Sequence, residues 1–284
     1  MNERLDDSFA LILAYYASLA SAVGFQGRCS MSIPADIEGK RVLDVCCRKG
    51  KGAFALADAV GPSGFVVGVD PDAGNIAAAR IAAPGNHRAG SSWGNHLRFS
   101  QAIPENLSAA RIDDVAFDLV YINSVLNLAW SLPASLAEFA RVLVPGGRLW
   151  VAQGVFADNE SDVQGERAVP GDGASARGRS AVIELGVSMP DGSVAFAGSD
   201  APALADRNGS PSALNGHMLI AGESEPIDVF SRALSRSQFK RMCLEAGFSS
   251  VAFSSISSLS GEDVPGSGCR RDAAFCLADA CATI

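Results

Sequence analysis

Short apolar runs and helix-forming stretches alternate along the first 155 residues of the chain. Residues 41–46 (RVLDVC) and 65–70 (FVVGVD) are β-branched and apolar over strand length, and 51–60 (KGAFALADAV) between them is rich in helix formers. This spacing predicts a strand, a helix and a strand. A helical stretch follows at 72–82, then a Gly-, Asn-, Ser- and His-rich loop at 84–96 and a weaker strand near 97–101. Strand 116–122 (AFDLVYI), helix 132–143 and strand 147–153 (GRLWVAQ) continue the alternation, so parallel pairing through right-handed crossovers is the economical topology.

After Val155 the pattern breaks. Residues 157–180 and 198–216 are dominated by small, polar and charged types and read as loops. Strand-like pieces at 181–189 and 193–197 are joined by Pro190-Asp191-Gly192, a hairpin signal. The pattern returns with an amphipathic helix at 236–246, a strand near 249–255 and a final apolar strand near 273–278, which suits a mostly parallel sheet completed by an antiparallel edge. The expected organisation is an N-terminal helical segment (1–35), an α/β core (36–155), an insertion (156–230), and a C-terminal part (231–284) that supplies a helix and the core's last two strands.

Phe9 to Phe25 is an uncharged, largely apolar run that imitates a signal sequence or a short membrane span. Its flank, Asn2-Glu3-Arg4-Leu5-Asp6-Asp7, is acidic where a signal peptide needs positive charge, and the run is shorter than the ~20 residues of a span. It reads as a buried helix. Hydrophobic residues make up 48% and charged residues 19%, a globular balance. The formal charge of -8 opposes binding to a phosphate backbone, so nucleic acid is not an expected partner, and neither is a membrane. Seven cysteines without the short-chain context of a disulfide scaffold point to a reducing, cytoplasmic compartment.

The chemistry concentrates in Val42-Leu43-Asp44-Val45-Cys46-Cys47-Arg48-Lys49-Gly50-Lys51-Gly52, followed after a helix by Val67-Gly68-Val69-Asp70 and Pro71. An acid closing the second strand can accept from ribose hydroxyls while the turn after the first strand approaches the rest of a nucleoside. Asp44, the later Phe117-Asp118-Leu119-Val120 and Arg141-Val142-Leu143-Val144-Pro145-Gly146-Gly147 complete a set. In order and spacing it resembles the class I S-adenosylmethionine-dependent methyltransferases over roughly residues 40–155, and again at Phe239 to Phe248. The resemblance implies a Rossmann-like fold with 36–155 as the cofactor-binding core, S-adenosylmethionine as cofactor and S-adenosylhomocysteine as product.

Within that superfamily the chain looks most like arsenite methyltransferases. Ala14-Tyr15-Tyr16-Ala17 running to Cys29 is similar to their N-terminal segment, and Asn123-Ser124-Val125-Leu126-Asn127-Leu128 to their Asn-Cys-Val-Leu-Asn-Leu motif. The thiol ligands that the resemblance implies would fall at Ala53, at Ser124 and in a cysteine-free segment before the late helix, leaving Cys29 alone. Trivalent arsenic wants several thiolates, so another small-molecule acceptor is expected.

The cofactor loop departs as well. The family pattern Asp-x-Gly-x-Gly-x-Gly has its first two glycines replaced by Cys46 and Arg48, leaving Gly50. A side chain in a left-handed backbone costs ~1–2 kcal/mol, which the fold can carry. Charge is the sharper matter: a guanidinium about 4 Å from a sulfonium is repelled by about 4 kcal/mol at an effective dielectric of about 20. Arg48 must therefore point away or pair with the cofactor's methionine carboxylate, for which a bidentate fork is suited. At the end of strand three, where the family often has an acid facing the adenine amine, stand Ile103 and Pro104, which pack but accept no hydrogen bond.

The resemblance implies a cofactor set of Asp44, Cys46, Cys47, Arg48, Gly50, Asp70, Pro71, Ile103, Pro104 and Asn123. Tyr16, Ser124 and Trp130 are the candidates for the acceptor side. Tyr16 or Ser124 would orient an acceptor that must lose a proton. Cys46 and Cys47 beside Lys49 and Lys51 read either as a lowered-pKa thiolate or as a buried strand-end pair. His87, His96 and His217 lack metal-site spacing, and Asp118 reads as an anchor of its strand. The function expected is methyl transfer to a small-molecule acceptor, with 156–230 forming part of the acceptor pocket or a lid. The alternative is a non-catalytic relative that binds another ligand or a protein partner.

Overall fold

The computed structural model describes residues 3–19, 31–85, 96–158, 181–183, 228–259 and 274–284. In chain order these form α1 (Glu3–Leu19), β1 (Met31–Ile33), β2 (Arg41–Val45), α2 (Lys51–Val60), β3 (Phe65–Asp70), α3 (Ala73–Ala82), β4 (Leu97–Gln101), β5 (Phe117–Asn123), α4 (Leu132–Val142), β6 (Leu143–Ala157), β7 (Ala181–Ile183), α5 (Arg236–Glu245), β8 (Ser250–Ser258) and β9 (Phe275–Thr283). Seven strands make one sheet in the order β4-β3-β2-β5-β6-β9-β8. β4 through β6 pair in parallel, and the antiparallel edge is a two-strand affair: β9 lies between β6 and β8, antiparallel to both.

Strand parity builds a core on each face of the sheet. Leu43, Val45, Val120 and Ile122 point to the side that packs with Phe139 of α4 and Phe239 of α5. Val42, Val66, Leu119 and Tyr121 point to the other side, against Leu56 of α2 and Ala79 of α3. Helix starts follow local chemistry. Asp72 accepts from Asn75 N at the head of α3, and Ser131 precedes a Pro in the first turn of α4. Ser235 and Gln238 close a reciprocal capping box on α5.

Three expectations change. β6 is longer than residues 147–153, because antiparallel pairing with β9 continues to Ala157↔Phe275. β9 itself runs on through Ala278-Asp279-Ala280-Cys281-Ala282, a stretch of low strand propensity that burial between two neighbours overrides. α1 begins at Glu3 and is not buried all round: Tyr15 is 2% exposed, whereas Leu11 is 53% exposed. Of the expected hairpin, only Ala181–Ile183 is described, and it pairs antiparallel with β1; the turn at 190–192 and the strand at 193–197 lie outside the described residues. Among the described residues no helix is long and apolar enough to cross a membrane.

Phe156, 1% exposed, has ring centroids 5.6 Å from Phe239 and 5.4 Å from Phe253, so it ties β6 to α5 and β8. Phe156→Ala should cost about 3–5 kcal/mol of unfolding free energy. Urea denaturation reads this, and a loss below about 1 kcal/mol would show that the site refills on truncation.

Candidate functional site

The loop leaving β2 keeps a left-handed backbone at three alternate residues: φ is 59° at Cys46, 51° at Arg48 and 85° at Gly50. The first two carry side chains where glycine is the ordinary choice. Two bonds to β3 and one within the loop hold the turn. Cys47 N donates to Val69 O (2.9 Å), Arg48 N to Asp70 Oδ2 (2.8 Å), and Gly50 N to Cys47 O (2.9 Å). Gly50 meets a steric demand besides: a Cβ there would stand 2.9 Å from the rings of both Phe54 and Phe99.

Asp70, 4% exposed, is the hub of this arrangement. Its Oδ1 accepts from Asp72 N (3.0 Å) and Asn75 Nδ2 (3.0 Å), and its Oδ2 from Arg48 N. With two acceptor positions per oxygen, Oδ1 is filled and Oδ2 keeps one. A cavity of about 320 Å³ opens at the carboxyl ends of β2, β3 and β5, within the range of small-molecule sites. Tyr16, Cys46, Arg48, Asp70, Pro71 and Pro104 line it. Leu19, Val125, Leu128 and Phe139 make an apolar wall.

The other sequence candidates stand elsewhere. Cys47 joins the core on the opposite face of the sheet from Cys46, its Sγ 3.0 Å from where a Gly68 Cβ would lie. Ile103 is 1% exposed and buried behind Pro104. Asn123 and Ser124 follow the strand end but do not line the cavity; Ser124 Oγ donates to Asn123 Oδ1 (3.0 Å). Trp130 lines a second cavity, also about 320 Å³, with Leu132, Pro133, Arg232 and Met242. Asp44 is 3% exposed, and among the described residues its Oδ2 has no hydrogen-bond partner. Burial, then the charge of Asp70, pushes the Asp44 carboxyl up to about 8.

Burial, then the charges of Asp70 and Glu105, pushes the Cys46 thiol up, and burial does the same to Cys47, which disfavours an activated thiolate. Nor are the two a buried pair, since Cys46 is half-buried at the cavity and Cys47 packs in the opposite core. Tyr16 is likewise pushed up, by burial first and then by Cys46 and Glu105, and stays a neutral phenol. Its hydroxyl donates to Glu105 Oε1 (2.8 Å) and accepts from Trp130 N (3.1 Å). Ser131 N (3.1 Å) and Ser135 Oγ (3.3 Å) share that carboxylate oxygen. Glu105 and Tyr15 join the site without having been candidates from the residue pattern. Tyr15 donates to Leu128 O (3.0 Å) and accepts from Arg232 Nη1 (2.9 Å), fastening α1 beside the cavity. The neighbouring Tyr16 was a signal for Tyr15; an isolated Glu before an Asn offered none. Asp118 anchors the start of β5 by accepting from Arg41 N (2.9 Å) and Arg41 Nε (3.1 Å). His96 Nδ1 lies 3.1 Å from Gly64 O, and His87 and His217 are outside the described residues.

Residues 36–172 match the family described as methyltransferase domain. An arsenite methyltransferase of Aquipseudomonas alcaligenes is 35% identical over 130 residues, which is 46% of this chain and 37% of that protein. A demethylmenaquinone methyltransferase of Lactococcus lactis is 28% identical over 152 residues, 52% of this chain and 57% of that protein. The chain thus spans less than two thirds of the length of these relatives. The crystal structure of CrArsM, an arsenic(III) S-adenosylmethionine methyltransferase from Chlamydomonas reinhardtii, superposes with a TM-score of 0.58 at 23% identity, covering 94% of this chain and 72% of that one. The fold is the Rossmann-like fold of class I methyltransferases, and the likeness is to the arsenite methyltransferase-like group. The cofactor of such a domain is S-adenosylmethionine, with S-adenosylhomocysteine as product.

The buried Asp44 makes stability depend on pH. Below about pH 4 folded and unfolded chains both hold its proton; from there to about pH 8 only the folded chain does, and stability falls by on the order of 1 kcal/mol per pH unit. The melting temperature of the ligand-free protein should drop between pH 5 and pH 8, and Asp44→Asn should flatten most of that drop. An unchanged slope in the variant would place the titrating group elsewhere.

Proposed function

We propose that this chain, whose residues 36–172 match a methyltransferase domain, uses S-adenosylmethionine to transfer a methyl group to a small-molecule acceptor. The observation that carries this reading is the left-handed backbone at Cys46, Arg48 and Gly50. Two glycines of the cofactor loop are gone, yet the turn they serve persists, and the cavity beside it stays open. The remaining acceptor position on Asp70 Oδ2 suits one ribose hydroxyl, and Pro71 and Pro104 offer apolar faces to a base.

When bound, the cofactor supplies an electrophilic methyl group on a sulfonium. The chain's own residues bind, orient and exclude water. Asp70 holds the sugar. Leu19, Val125, Leu128 and Phe139 keep one side of the cavity apolar. Tyr16, bonded to Glu105 and Trp130, fixes α1 as part of the wall rather than serving as a base. A displacement of this kind gains from alignment, which can supply ~7–11 kcal/mol of a barrier without acid–base machinery.

Of the segment 156–230, expected to form part of the acceptor pocket or a lid, residues 159–180 and 184–227 lie outside the described residues. Val229 and Phe230, at its end, pack with Leu128, which lines the cavity. Arsenite, named for several relatives, is not the acceptor favoured here. Of the described cysteines only Cys46 lines the cavity; Cys47 faces the opposite core, and Cys243 and Cys276 are buried in the sheet and helix packing. A thiophilic As(III) centre needs several thiolates together.

Calorimetric titration tests the reading. S-adenosylmethionine and S-adenosylhomocysteine should both bind, and Asp70→Ala should weaken them about tenfold or more, the value of a lost charged hydrogen bond and its loop anchor. Absence of heat and of any thermal shift at millimolar ligand would overturn it.

A further inference from the structure

We infer that Arg48 selects the ligand of this cavity by its carboxylate: the guanidinium grips the α-carboxylate of an S-adenosyl amino acid, so that the chain discriminates against adenosyl thioethers lacking that group. The inference rests on the reading of the cavity as the cofactor site. It concerns a position where the family pattern has glycine and therefore no side chain at all.

Arg48 is placed for this by its backbone. Its N–H is bound to Asp70 Oδ2 at 2.8 Å, so the residue that takes the sugar and the residue that carries the cation are joined directly, and both line the same cavity. In an S-adenosyl ligand the sulfur is on C5′, one carbon beyond the ring carbon that neighbours the 3′-hydroxyl, so a ribose held at Asp70 by its hydroxyls would leave the amino-acid portion to the part of the same cavity lined by Cys46 and Arg48. The side chain is exposed and, among the described residues, has no carboxylate or carbonyl partner. Arg41 is committed to Asp118, Arg141 to Glu138, Arg148 to Asp36 and Arg80 to Phe99 O, while Arg98 of β4 lies over the Phe65 ring. The planar fork of Arg48 is left for a ligand.

Chemistry decides which ligand. A free guanidinium beside a sulfonium is a like-charge pair and disfavours binding, whereas the same guanidinium on a carboxylate forms the bidentate contact for which arginine is preferred over lysine. A ligand with the carboxylate turns the repulsion into an anchor; one without it meets only the repulsion or an idle cation. The residue also holds φ at 51° at a steric cost that glycine would not incur, so Arg48→Gly should raise the melting temperature while weakening the carboxylate-bearing ligand. Stability and affinity then move in opposite directions at one position.

The test compares two ligands that differ only in the carboxylate, S-adenosylhomocysteine and its decarboxylated analogue, by calorimetry on the full chain and on Arg48→Gln and Arg48→Gly. The wild-type chain should prefer S-adenosylhomocysteine by about tenfold or more. Arg48→Gln should bring the two within about threefold, chiefly by weakening S-adenosylhomocysteine. Equal loss for both ligands, no change for either, or tighter binding of both by Arg48→Gly would overturn the assignment while leaving the cofactor site standing. No binding of either ligand to the wild-type chain would overturn the cofactor reading, and this inference with it.

Discussion

The carboxylate of Asp70 holds together what the loop's own residues cannot. A glycine-rich turn keeps its shape because nothing in it resists a left-handed backbone; here Cys46 and Arg48 do resist it, each by ~1–2 kcal/mol. Three donors converge on Asp70: the Arg48 amide from the loop, the Asp72 amide and the Asn75 side chain from the head of α3. Charge-assisted bonds of this kind in a buried setting outweigh such strain. The conformation that glycine would permit is thus imposed by an acid twenty-two positions later in the chain, and the turn and the sugar-binding group become one unit.

Binding and fold are therefore less separable than in a glycine loop. Each lone pair of Asp70 spent on the protein is one that a ligand cannot use, and three of four are spent. Affinity must be sought along the rest of the cavity. The cavity wall answers with features that come from far apart: Tyr16 from α1, Pro104 after β4, Val125 and Leu128 after β5, Phe139 from α4. Glu105, itself after β4, gathers α1 and the head of α4, taking the Tyr16 hydroxyl, the Ser131 amide and the Ser135 hydroxyl on one oxygen.

Much of this was legible in the residues. β2, α2 and β3 follow from apolar period and helix formers, and Asp70 from its place at a strand end. β2 ends at Val45, and the left-handed turn at Cys46 puts Cys46 on the α4 and α5 side and Cys47 on the α2 and α3 side, the reverse of what continued strand parity would give. The two cysteines therefore do not form one site, and the residue pattern alone could not assign their faces. Contacts between distant segments were not legible. Nothing local tells that Tyr16 meets Glu105, that Tyr15 meets Arg232, or that Trp130 turns to a second cavity. Ser124 and Asn123 sit at the strand end as expected, but Ser124, itself in a left-handed backbone, donates to the Asn123 side chain, which a motif does not disclose. The length of β9 escaped for a physical reason: Ala and Asp, which fill most of its second half, are poor strand formers, and flanking strands on both sides hold them in the sheet.

The insertion of β9 between β6 and β8 has a consequence for the order in which the chain can assemble. β6, ending at Ala157, waits for a partner that starts at Phe275, and β8 has no place in the sheet until the same strand arrives. During synthesis the parallel half, with its cavity loop and Asp70, emerges with its neighbours already present, while β6 keeps an open hydrogen-bonding edge. Closure through so distant a pairing is slow by nature, since the intervening loop entropy is lost before the contacts form. The half that binds can take shape early; the half that seals it comes with the final strand.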